Sequence, residues 1–232
     1  DIEEGIEVAK LLVEYGYDAL DTDVGSYDSW WWSHPPMYQA KGLYRPFAKL
    51  MKETVDVPVI CAGRMDNPDM ALEAVLDGTA DMISLGRPLL ADPDYVNKLR
   101  AGKIADIRPC ISCHEGCMGR IQEYAMLNCA VNPQTCRERA TELKPAAKAK
   151  TIMIIGGGVS GCEAARVLAL RGHKPEIYEK TACFLISSKD YIIGRLTSVF
   201  AGDMTACSTA GAMAVGRWTA RPTTRSSSGS MG

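Results

Sequence analysis

Three absences bound this chain before any motif is read. It has almost no charge imbalance: 26 Lys and Arg stand against 28 Asp and Glu, a formal net charge of -2. Without a basic footprint, no nucleic-acid partner is expected. No apolar run approaches the length of a bilayer span and no signal-peptide pattern leads the chain, so no membrane role is expected either. An even, dispersed set of cysteines is also missing. Nine are present and four crowd into one stretch, which points to metal ligation in a reducing cytoplasm and away from a secreted disulfide framework. An initiating Met is absent as well. Asp1 opens directly into a helical pattern of Ile2, Ile6, Ala9 and Leu12, and the expectation is a chain truncated at its N-terminus. The 232 residues suffice for one large domain or two modest ones.

What is present begins with strand–helix units. Short apolar runs at Asp18–Val24, Pro58–Ala62 and Asp81–Leu85 read as strands. Helical patterns follow over Gly42–Val55, from Asn67-Pro68 to Gly78, and from Asp92-Pro93 to Gly102. Asn67-Pro68 pairs an N-cap with proline in the first turn, and Gly78 is a helix stop. Such alternation predicts a parallel α/β sheet covered by helices. The second and third strands end in Gly63-Arg64 and Gly86-Arg87, where glycine lets backbone approach a ligand and arginine offers a forked donor. A phosphate site is one reading of these pairs, and solvated or acid-paired arginines are the equal alternative. Three units cannot close a barrel of eight strands, so the sheet is either small and open or part of a larger (β/α)8 barrel, which the abrupt start favours.

The cysteine run is C-x2-C-x3-C-x11-C, formed by Cys110, Cys113, Cys117 and Cys129. Three thiols on one tight loop with a fourth returning from beyond it suit a compact iron–sulfur cluster. Zinc is the main competitor, because four thiolates also suit a tetrahedral ion, but the usual second C-x2-C pair is missing. Gly116 and Gly119 are expected to turn backbone N–H groups toward the cluster sulfurs. Cys61, Cys136 and Cys162 have no comparable partners and read as small buried hydrophobes.

Beyond a basic, Pro/Ala-rich linker at 144–150, Thr151–Ile155 reads as a buried strand followed at once by Gly156-Gly157-Gly158-Val159-Ser160-Gly161. This is G-x-G-x-x-G in its required strand–turn–helix setting, with a second strand, His173–Tyr178, ending at Glu179. The helix N-terminus offers free N–H groups to a pyrophosphate, and Glu179 stands where a ribose hydroxyl pair is held.

The stretches ICAGRM (60–65), DMISLGRPLLADPD (81–94), CISCHEGCMGR with its later CAVNP, and IIGGGVSGCEAARVLALRGH (154–173) occur in the order seen in one enzyme group. Residues 1–180 resemble the iron–sulfur flavoenzymes of the old yellow enzyme type, in the branches of 2,4-dienoyl-CoA reductase and 2-enoate reductase (NADH:flavin oxidoreductases). The resemblance implies an FMN-binding TIM barrel whose C-terminal portion is 1–104, a [4Fe–4S] segment at 105–143, and the start of a Rossmann-like FAD/NAD(P)-binding domain at 144–180. By position it implies that Gly63, Arg64, Gly86 and Arg87 contact FMN phosphate. It likewise implies that the four cysteines ligate the cluster and that Gly156, Gly158, Gly161 and Glu179 hold FAD. Electrons from NAD(P)H would then pass through FAD and the cluster to FMN, and on to an activated C=C bond of a small enoate or enoyl-CoA substrate. Where dienoyl-CoA reductases carry a histidine proton donor, this sequence has Tyr27, the expected catalytic residue, with His34 as another donor nearby. The Trp30–Tyr38 loop could line a substrate pocket.

Past residue 180 the resemblance ends. The tail of 181–232 is rich in Ser, Thr, Ala, Gly and Arg without periodicity, and is expected to be disordered or frame-altered. This polypeptide alone is expected to be inactive, as part of a longer cytoplasmic enzyme in which oligomerisation is allowed. The alternatives that stay open are a trimethylamine dehydrogenase-like amine dehydrogenase and a zinc-stabilised nucleotide-binding module without redox activity.

Overall fold

A computed structural model describes residues 1–179 and the backbone of 214–217. The chain divides into two units between Glu138 and Arg139. No helix among the described residues is long and apolar enough to cross a membrane.

The first unit opens with helix α1 (Ile2–Glu14), started by a reciprocal capping box in which Asp1 accepts the Glu4 N–H at 2.9 Å. Strand β1 (Leu20–Thr22), the short helix α2 (Trp30–Ser33), helix α3 (Arg45–Thr54) and strand β2 (Val59–Cys61) follow. Helix α4 (Pro68–Leu76), strand β3 (Met82–Ile83), and helices α5 (Arg87–Ala91), α6 (Tyr95–Arg100) and α7 (Met118–Gln122) complete the unit. The sheet order is β1-β2-β3, wholly parallel, with Leu20 opposite Val59 and Ile60 opposite Met82. This is the expected parallel α/β sheet. Ala9, Tyr44, Ala48, Val59, Cys61, Met65 and Ala74 form one core between helices and sheet. Ala9, Ala48 and Ala74 are the buried residues of α1, α3 and α4, and Arg45 links α3 to the α4 end through Glu73 and Asp77, each at 3.0 Å.

The start of α4 follows its sequence signal: Asn67 accepts N–H bonds from Asp69 and Met70 at 2.9 and 3.2 Å, with Pro68 in the first turn. Other boundaries differ. The third strand is two residues long, although Ser84 N–H still bonds Cys61 O at 2.9 Å. Helix α5 stands where a strand-end loop is expected, begun by proline in its first turn. Asp92 accepts the Asp94 N–H at 3.1 Å, and the next helix starts only at Tyr95.

The described part of the second unit is strand β4 (Thr151–Ile155), helix α8 (Val159–Leu170) and strand β5 (Lys174–Glu179), with β4 and β5 parallel. Strand β6 (Ala214–Arg217) pairs antiparallel with β5. The expected disorder of the tail otherwise falls outside the described residues.

Candidate functional site

The carboxyl ends of β1, β2 and β3 enclose a cavity of about 260 Å³. Asp21 and Asp23 come from the first, Gly63 and Arg64 from the second, Ser84, Gly86 and Arg87 from the third. Both predicted Gly-Arg pairs therefore meet at one space. Gly63 is required twice over there. Its φ of +83° is a conformation that suits glycine, and a Cβ would sit 2.5 Å from the ring of Tyr44. Tyr44 is itself buried, and its hydroxyl donates to the Trp32 carbonyl. Burial, with the nearby Asp23 charge second, pushes its phenol well above the ordinary value.

The two arginines use their guanidinium groups on the loop above them. Arg64 Nη1 donates to the carbonyls of Pro36 and Met37 at 2.9 and 3.2 Å and also to Gln39 O. Arg64 Nε is buried without a hydrogen-bond partner. Arg87 Nη1 donates to Pro35 O at 2.9 Å and contacts His114 Nε2. Burial lowers the His114 pKa to about 4, with Arg87 the next cause, so the ring is neutral and able to accept. A buried, orphaned guanidinium N–H beside a cavity with two glycine edges fits an anionic group such as a phosphate. Of the acids nearby, Asp66 is already paired with Lys41 at 2.6 Å.

The expected donors lie differently. His34 lines the cavity, its ring tilted against Trp30 with centroids 4.4 Å apart. Its Nδ1 is buried without a partner, and burial, followed by the Arg87 charge, lowers its pKa. Tyr27 is 91% exposed, stacks on Trp30 at 5.7 Å and is not among the cavity-lining residues. Of the Trp30–Tyr38 loop, only His34, Pro35 and Ser33 reach the cavity wall; Trp32 packs edge-on against Phe47. Asp23, Ser84 and Tyr44 also line the cavity, outside the Gly-Arg pairs that mark it in the sequence. Two acids alternating at the end of an apolar strand, Asp21 and Asp23, are the signal that could have found part of this wall.

Cys110 and Ser112 border this cavity and also a second, smaller pocket lined by all four expected ligands, Cys110, Cys113, Cys117 and Cys129. Helix α5 anchors both ends of the cysteine segment. Before the first cysteine, the buried Asp92 carboxylate accepts the Arg108 N–H at 2.7 Å and Lys98 Nζ at 2.6 Å. After the last, Asn132 and Thr135 both donate to Leu90 O, at 2.9 and 2.8 Å. The loop between closes on Gly116. Its carbonyl accepts the Asn128 N–H at 2.7 Å, and a Cβ there would collide with Asn128. Ser112 and His114 take left-handed backbone conformations, φ 53° and 61°. The expected turn of glycine N–H groups toward sulfur is corrected in part: Gly119 N–H bonds His114 O at 2.8 Å, while Ser112 N–H points to Cys110 Sγ at 3.4 Å. Burial raises the Cys110 thiol pKa.

Among the described residues, no three His, Cys, Asp or Glu side chains are gathered closely enough to hold a metal as they stand. Thiolates of a tetrahedral zinc site lie within about 2.3 Å of one metal atom, whereas a polynuclear cluster holds its four cysteines further apart. Four cysteines that border one small pocket supply the thiolate donors that either group takes. Cys61 is the buried hydrophobe expected, its thiol pushed up to about 11 by burial. Cys136 is exposed, contrary to expectation, and sits in a left-handed backbone conformation, φ 60°.

In the second unit, Gly156 has φ +101° and a Cβ on Gly161 would overlap Gly156 O, so this turn admits little but glycine at both ends. Gly157 N–H donates to Glu179 Oε2 at 2.7 Å. The expected acidic residue thus does reach the glycine turn. Gly158 is the N-cap of α8 and brings no side chain to its free N–H groups.

Comparison with known proteins matches residues 1–106 to the NADH:flavin oxidoreductase / NADH oxidase family. Cinnamate reductase of Clostridium sporogenes is 59% identical over 180 residues, which are 78% of this chain and 27% of that protein. NADH oxidase of Thermoanaerobacter brockii is 38% identical over 181 residues, 77% of this chain and 28% of that one. A 2-naphthoyl-CoA reductase solved with 2-naphthoyl-CoA superposes with a TM-score of 0.69 at 34% identity, covering 74% of this chain and 26% of its own. The chain thus spans about a quarter of the length of the relatives it matches. Through residues 1–106 the chain belongs to the NADH:flavin oxidoreductase / NADH oxidase family.

Proposed function

We propose that this chain supplies three parts of an NAD(P)H-dependent flavoenzyme that reduces an activated C=C bond of a small enoate or enoyl-CoA. The parts are the phosphate end of an FMN barrel, a [4Fe–4S] segment and the opening of an FAD-binding domain. The observation that carries this reading is the shared wall: Cys110 and Ser112 border both the two-arginine cavity and the four-cysteine pocket. The resemblance to cinnamate reductase, whose substrate has a C=C bond conjugated to a carboxylate, supports the enoate class.

Gly63, Arg64, Gly86 and Arg87 would hold FMN phosphate, the four cysteines would hold the cluster, and Gly156, Gly158, Gly161 and Glu179 would hold FAD. When bound, the flavins supply hydride transfer and the cluster one-electron transfer. The chain's own residues do the rest. The guanidiniums neutralise an anion in a partly desolvated cavity, where charge-assisted bonds gain strength. Reduction of a C=C bond also consumes a proton. His34 is the donor this loop sets in the cavity wall, and Tyr27, stacked on Trp30 in solvent, is the second donor the sequence offers. A cytoplasmic site for the whole enzyme accords with four free thiols in one pocket.

The test is anaerobic reconstitution of the full chain with iron and sulfide, followed by iron, sulfide and zinc analysis and an FMN titration. Broad visible absorbance bleached by dithionite, with FMN bound, is expected. Stoichiometric zinc without sulfide would sink the redox reading in favour of a zinc-stabilised module.

A further inference from the structure

The loop carrying three of the chain's four tryptophans is held by side chains from the strand ends and from the start of α3. Tyr44 takes Trp32 O, Arg87 takes Pro35 O, and Arg64 takes Pro36 O, Met37 O and Gln39 O. The Arg64 bonds all leave from one amino group, Nη1. That group has two hydrogens and three acceptors, while Nε of the same fork is buried with no partner.

We infer that Arg64 is a positioning residue with two edges: Nη1 latches the aromatic loop, and the remaining donors take an anion in the cavity. Occupancy of the anion site thereby fixes the loop over it. A guanidinium can do this because its planar fork holds five donors in fixed directions; a lysine ammonium, one point charge on a flexible stem, cannot serve both sides at once. An anion bonded to the free edge immobilises the whole plane, and the loop carbonyls on the other edge are immobilised with it. The coupling is reciprocal, so a loosened loop weakens the anion. Arg87, with one bond to the same loop, supports the latch but does not carry the three-carbonyl grip.

This rests on the reading of the cavity as an anion site, and the experiment separates the two. Binding of FMN and of inorganic phosphate to the full chain is measured by equilibrium dialysis. Amide hydrogen exchange over residues 32–40 and tryptophan fluorescence are followed in the same samples. In the native sequence, either anion is expected to slow exchange in the loop and to shift the fluorescence, while β2 amides stay unchanged. In Arg64→Lys, loop exchange without anion is expected to rise roughly tenfold, as loss of charge-assisted bonds predicts. FMN is then expected to bind more weakly and no longer to slow the loop. Binding to the native chain without any loop response overturns the latch and leaves the anion site standing. Failure of both anions to bind the native chain overturns both. Weaker binding in Arg64→Lys with unchanged loop exchange also overturns it, since the arginine would then serve the anion alone. The native-chain arm decides the matter even if the lysine variant fails to fold.

Discussion

Asp81 and Val59 clasp each other twice. The Asp81 N–H donates to Val59 O at 2.8 Å, and the Asp81 carboxylate accepts the Val59 N–H at 2.7 Å. Lys52 adds a third bond at 2.9 Å. This pair fixes the start of β2 against the start of β3, and hence the relative height of the two Gly-Arg ends.

The clasp is pH-sensitive with a definite sign. The Lys52 ammonium and then the Val59 N–H hold the Asp81 carboxyl below its ordinary value of 3.8. Its folded pKa lies below its unfolded one, so its contribution is complete above that ordinary value and is lost as pH falls through the folded pKa. Thermal unfolding between about pH 6 and 2 should show native stability dropping at the acid end, and Asp81→Asn should flatten part of that drop. An identical acid slope in the variant would remove Asp81 from the account.

Gly63→Ala should destabilise the first unit by about 1–3 kcal/mol, since the added methyl meets the Tyr44 ring and the backbone is left-handed. Gly78→Ala separates the two causes: its φ is +73° but nothing lies within 4 Å of a Cβ. It should cost only about 1 kcal/mol. Urea titration of both variants checks the difference, which vanishes if the Tyr44 contact is unimportant.

Serine at Cys110, Cys113, Cys117 or Cys129 should each reduce reconstituted iron and sulfide severalfold, because a cluster needs all four thiolates. Cys136→Ser, at an exposed position away from the pocket, should retain both. Equal retention in all five variants would refute the ligand set.

Glu179→Ala should weaken FAD binding by roughly tenfold, the worth of one charge-assisted hydrogen bond. The same change removes the acceptor of the Gly157 N–H, so far-UV circular dichroism is needed to show that the turn persists. Flavin-fluorescence titration reads the affinity.

Much of this was legible because the signals were local. Asn67-Pro68 declares a helix start by its own hydrogen bonds, and Gly156–Gly161 can hardly build anything else after a strand. The cysteine spacing brought four thiols to one pocket as expected. The loop latch was not legible, since its acceptors are backbone carbonyls that any residue supplies; nothing in Pro36, Met37 or Gln39 announces a partner 25 to 28 positions away. Helix α5 was hidden for a related reason. A five-residue helix has too little periodicity to read, and its importance lies in Leu90 O and Asp92, which grip distant segments. His34 and Tyr27 lie seven positions apart on one aromatic loop, and only three dimensions separate the one in the wall from the one in solvent.

The three-stranded sheet has a practical consequence for handling the chain. With the order β1-β2-β3, the outer strands each present one row of backbone groups unpaired within the described sheet. Such rows are templates for recruiting another strand, and their brevity, three and two residues, is what restrains them. The second sheet has the longer outer strand, the five residues of β4, so strand-recruiting self-association in concentrated solution should start there first, and conditions that suppress aggregation should be screened against that edge.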